Sequence, residues 1–204
     1  AAVIATTLGV FNGTLYLLTL RYQFVDGLSA IETGIVLLPL AAAMAVGGLV
    51  GPALQGWFTQ QHVIVAGLFM VAFGFLLVAT TPGTGETVGM IVLGLGSGIV
   101  MAIGANAVMS SAPEIRTADA GAIQESAFAL GGGTGIALFG VMAIQYAPAT
   151  AGPSAEAVYD TGAEMALTVS AFFYPFFAIA AGMLLLTTIR NKNGSRKSRT
   201  GAQR

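Results

Sequence analysis

Residues 34–56 read GIVLLPLAAAMAVGGLVGPALQG, a run without one charged side chain. As a helix rising 1.5 Å per residue, it is long enough to cross the roughly 30 Å hydrocarbon core of a bilayer. The rest of the chain has the same character. Of its 204 residues, 55% are hydrophobic and only 8% charged, against about 25% charged in a soluble domain. A globule of this composition would expose apolar patches larger than soluble monomers tolerate. The alternation of a membrane barrel is absent. The expected fold class is therefore an all-α membrane protein.

Outward from that run, six transmembrane spans are expected, at 1–24, 34–56, 62–80, 87–111, 118–146 and 162–189, together forming a six-helix bundle over 1–189. The connections QGWFTQQH, TPGTGETV and SAPEIRTAD are short, so consecutive helices should pack as antiparallel neighbours. Pro39, Pro52 and Pro175 are expected to bend their helices, since proline removes an amide donor and crowds the preceding turn. Trp57, at a span end, reads as an interface anchor. The opening run lacks a basic n-region and a cleavage site, and Ala1 reads as part of a helix already under way, so the chain is expected to be the later part of a longer protein.

Six of the eight Lys and Arg residues lie in the last fifteen positions. Basic residues collect on the cytoplasmic side, which makes 190–204 a cytoplasmic tail, expected to be disordered for want of an apolar face. Counting back through six spans places Ala1 inside as well and Arg116 in a cytoplasmic loop, with Arg21 at the outer face as the exception. With no cysteine and one histidine, the chain offers no disulfide framework and little material for a metal cluster. No cofactor and no nucleic-acid partner are expected.

Charges inside a membrane are costly and tend to be functional, so each acid needs a location. Ser29-x-x-Glu32 and Thr161-x-x-Glu164 have the spacing of capping boxes, which satisfy free amides at helix starts. Asp26 lies in a turn. Glu86, Glu156 and Asp160 are expected in outer loops, and Glu114 and Asp119 beside Arg116 in an inner one. Glu125 is left over. It lies about two turns, roughly 10 Å, into the fifth span. Its side chain either snorkels to the interface or faces the interior of the bundle. The second reading is favoured by Gly121, Ala129, Gly132 and Gly133, which share its face and permit close helix packing. An interior carboxylate there could exchange protons. Gln124, Ser126, Asn106, Asn12 and Tyr16 are candidate cavity-lining residues; for Asn106, Asn12 and Tyr16, as for Ser97, a hydrogen bond between helices is the favoured explanation.

Three stretches carry a resemblance. AGAIQESAFALGGGTGIALFG (120–140) resembles the segment opening the thirteenth helix of fourteen-helix drug:proton antiporters of the major facilitator superfamily. GLGSGIVMAIGANAVMSSAPE (94–114) is similar to their twelfth helix, and YQFVDGLSAIETGIVLLPLAAAM (22–44) to the join between their ninth and tenth. The resemblance implies the carboxy-terminal half of a multidrug or quaternary-ammonium exporter in the bacterial inner membrane, driven by the proton gradient. Its partners would be a missing amino-terminal half, the lipid bilayer, and small hydrophobic or cationic substrates. It also implies that Glu125 takes part in coupling or cation recognition. Where some cation exporters of this kind carry an acid shortly after Leu-Leu-Pro, this chain has Ala43.

The sequence invites two other function classes. An intramembrane serine protease would need His62 within hydrogen-bond reach of Ser97, yet the two fall on different spans at different depths. A membrane partner or assembly subunit that transports nothing would use the same small-residue faces for association.

Overall fold

In the computed structural model of the protein, the structure describes residues 2–24, 26–81, 83–110 and 117–146. The span expected at 162–189, its Thr161–Glu164 cap, Pro175, and the tail at 190–204 lie outside the described residues. Five helices run in order: α1 (Ala2–Phe24), α2 (Ala30–Leu54), α3 (Gln60–Thr80), α4 (Thr84–Ser110) and α5 (Thr117–Tyr146). Of these, α2, α3 and α4 are long and apolar enough to cross a membrane. The other two have the length but carry more polar side chains.

The helix starts follow local chemistry. Ser29 caps α2 through the expected capping box: its hydroxyl accepts from the Glu32 amide at 3.4 Å, and Glu32 Oε2 accepts from the Ser29 amide at 2.8 Å. At the preceding turn Gly27 adopts φ 67°, a conformation with little penalty only for glycine, and the Leu28 amide donates to the Tyr22 carbonyl at 2.9 Å. Gly83, with φ 73°, makes the equivalent turn before α4. Helix α2 continues through Pro39 and ends two residues beyond Pro52.

Lipid tails are as apolar as leucine, so helices in a membrane associate through close packing rather than escape from water. Here glycines bring backbones together in two groups. The first group is α2, α3 and α4. On α4, Gly94 and Gly98 meet α2 beside Leu40 and Met44, and a Cβ on Gly51 of α2 would lie 3.2 Å from Ile99 Cα. Towards α3 the glycines pair. A Cβ on Gly96 would lie 2.7 Å from the Gly67 carbonyl oxygen, and one on Gly89 would lie 2.9 Å from that of Gly74. In the second group α1 lies against α5, where Gly9 meets Gly131 and Gly135, and Gly13 meets the ring of Phe139.

Between the groups the contact is made by side chains. Val10, Phe11 and Leu18 of α1 pack into one cluster with Leu68, Val71 and Phe75 of α3 and Met90 and Leu93 of α4. Phe75 and Phe139 close it edge to face, with ring centres 6.1 Å apart. A smaller cluster of Val63, Ile99 and Ile103 lies towards the α2–α3 turn.

One expectation is corrected. Glu86 is not in an outer loop: α4 begins at Thr84, three residues before the expected start, so Glu86 falls in its first turn and is 5% exposed.

Candidate functional site

Polar side chains converge on one side of the α1–α5 pair. On α5, Glu125, Gly132 and Gly140 recur every seven or eight residues, which places them along one face at about two turns apiece. Asn12 of α1 leans against Gly132, its Nδ2 lying 3.1 Å from where a Cβ would stand, and donates to the Leu8 carbonyl at 3.1 Å. One turn further along α1, Tyr16 lies beside Gly140, with its hydroxyl 3.9 Å from the equivalent point. Both are half-buried. Glu125 itself is exposed, and among the described residues no helix covers it. The result is a carboxylate, an amide and a phenol strung along one edge of the α1–α5 pair, the first and last about 22 Å apart at 1.5 Å per residue, with Glu125 the exposed member.

The remaining candidates are distributed around that line. Gln124 is half-buried, and its Oε1 has no hydrogen-bond partner among the described residues. Ser126 is exposed and donates to the Ala122 carbonyl at 2.8 Å. Asn106 is exposed on α4, one turn from Met109, whose Cε lies 3.7 Å from the position of a Cβ on Gly121. Ala129 and Gly133 are exposed, and a Cβ on Gly133 would have nothing within 4 Å. The backbone contact with α1 is made by Gly131 and Gly135; of the glycines expected to make it, Gly132 lies about a quarter-turn round the helix and Gly133 about half a turn.

At the far end of α1 a second polar group was not expected from the sequence. Arg21 Nη1 donates to Glu86 Oε1 at 2.9 Å, and the Tyr22 hydroxyl donates to the same oxygen at 3.0 Å. The Arg21 guanidinium also lies 6.0 Å from the Tyr22 ring centre. The signal was present in the chain. Arg21 is the cation that the expected orientation left as an exception, and a buried carboxylate such as Glu86 requires a partner.

Ser97 is fully buried in α4, and its hydroxyl has no partner among the described residues, while His62 is exposed at the start of α3 and hydrogen-bonded to Thr59. They make no nucleophile–base pair. Among the described residues no group of three or more His, Cys, Asp or Glu side chains could hold a metal ion.

Known proteins resemble this chain over much of its length. The family model of the Major Facilitator Superfamily matches residues 1–136. Similar proteins include the tetracenomycin C resistance and export protein of Streptomyces glaucescens, 34% identical over 65% of this chain and 25% of its own. The methyl viologen resistance protein SmvA of Salmonella typhimurium is 32% identical over 62% of this chain and 26% of its own. The multidrug efflux pump LfrA of Mycolicibacterium smegmatis is 27% identical over 70% of this chain and 29% of its own. The chain thus spans about a quarter of the length of these three relatives. These relatives are efflux and resistance proteins and not enzymes.

Proposed function

Because the chain belongs to the Major Facilitator Superfamily, we propose that it forms the carboxy-terminal half of a proton-coupled multidrug efflux transporter in the bacterial inner membrane. Such a transporter exports hydrophobic or cationic compounds by alternating access. The missing amino-terminal half supplies the other wall of a cavity near the bilayer midplane, and the two halves rock about it.

The observation that carries this reading is the position of Glu125. It is exposed beyond the first turn of α5, about two turns before Gly132, against which Asn12 of α1 rests. An ionised carboxylate facing lipid would be costly. Covered by a second half around a watered cavity, it becomes a site where a proton and a cation compete. Proton binding favours one state and cation binding the other, which is the differential affinity that a population shift requires. Relatives named for tetracenomycin C export, methyl viologen resistance and multidrug efflux support a substrate range of this kind.

The test is Glu125→Gln in the complete protein encoded with this segment. It keeps the side chain's shape and removes its charge. Protein level should be normal and accumulation of a cationic drug should rise to that of cells without the transporter. Export equal to the parent's would remove Glu125 from the mechanism.

A further inference from the structure

The two helix groups are held together differently inside than between. Within α2, α3 and α4, and within the α1–α5 pair, glycines interlock backbone against backbone. Across the seam between α1 and α4 the contacts are side chains, such as Ile4 against Gly104. Interlocked backbones resist sliding, whereas side-chain layers allow the small shear by which packed helices shift.

Among the described residues, the charged contact crossing this seam is Arg21 with Glu86. Its two ends are in unlike surroundings: the Arg21 side chain is 40% exposed and that of Glu86 7%. If the pair separates, the guanidinium can rehydrate where it stands. The carboxylate keeps a favourable setting in the first turn of α4, where the positive end of the helix dipole and free amides favour an anion. Separation therefore carries less than the usual penalty for breaking a buried pair, which is a stranded charge. A buried ion pair adds little net stability over apolar packing, and its best-attested use is to fix register.

We propose that the Arg21–Glu86 contact, with Tyr22 as second donor, is a latch on a shear seam. Closed, it fixes the Arg21 end of α1 to α4. Open, it lets α1 and α5 shift as one body past α2, α3 and α4, carrying Asn12, Tyr16 and Glu125 together. Glu86 is thus a positioning residue for the polar face. The latch is a property of the fold and does not depend on whether Glu125 exchanges protons.

The test uses spin-label distances in the complete protein in proteoliposomes, with native cysteines outside this segment replaced. Labels at Gln23→Cys and Val88→Cys span the seam. Labels at Leu20→Cys and Val141→Cys lie within the α1–α5 pair. In Glu86→Leu the seam distance should shift to a longer population while the α1–α5 distance stays as in the parent. Arg21→Lys, which keeps the cation, should retain the parental seam distance. Tyr22→Phe removes one donor without changing the packing and should populate the longer distance in part. An unchanged seam distance in Glu86→Leu, or both distances widening together, overturns the proposal. Should Glu86→Leu fail to accumulate, Tyr22→Phe decides: an unchanged seam distance overturns the latch.

Discussion

Gly9 of α1 and Gly135 of α5 meet backbone to backbone, so closely that a Cβ built on Gly135 would collide with the Gly9 carbonyl. Neither backbone can withdraw without opening the whole α1–α5 interface. Gly135→Val should therefore destabilise the protein by at least the roughly 1–3 kcal/mol typical of overpacking, read as a lower melting temperature in detergent. Gly133→Val, two residues away where a Cβ meets nothing within 4 Å, should melt close to the parent.

The contact between α2 and α4 makes a parallel prediction. A Cβ on Gly98 would strike the Met44 carbonyl, whereas one on Gly34 of α2 has open space. Gly98→Ala should lower the yield of folded protein and its melting temperature. Gly34→Ala should leave both near the parental values, or raise them slightly through its better helix propensity.

Topology can be read from the turns. If the Arg21 end of the bundle is the outer end, Thr84→Cys should react with a membrane-impermeant thiol reagent in intact cells. Thr59→Cys, in the α2–α3 turn at the opposite end, should react only after lysis. The reverse pattern would invert the assignment drawn from the basic residues.

Glu32 and Glu125 are both exposed acids near helix starts, and they should behave differently. Glu32→Gln weakens a capping box, an effect of about 1 kcal/mol or less at an exposed helix start, and drug export should persist. Glu125→Asp keeps the charge but moves it by one methylene, and partial export should remain. Drug accumulation at matched protein levels separates the two.

Much of the fold was legible because its causes are local. An uncharged run such as 34–56 must be a helix in lipid, where each backbone amide needs a partner within its own segment. Ser29 and Glu32 are three residues apart, so their capping box could be read directly from the chain and is formed in the structure. The expected loop position of Glu86 failed for the complementary reason. An acid three residues after Gly83 reads as loop or first turn equally well, and its real partner, Arg21, is 65 residues away.

The sequence by itself determined that the chain is a bundle of membrane helices, where most of those helices run, and that Glu125 is an acid without a local explanation. Composition, charge placement and periodicity act along the chain and survive without a partner. Tertiary structure alone decided which glycines touch. Positions 131, 132, 133 and 135 are near-equivalent as sequence, but a helix turns about 100° per residue, so only Gly131 and Gly135 face the α1 backbone while Gly132 meets the Asn12 side chain. It also decided that Arg21, Tyr22 and Glu86 share one carboxylate oxygen. That contact exists only once α1 and α4 pack at the same end, because pairing between distant residues follows from how helices are arranged and not from their order.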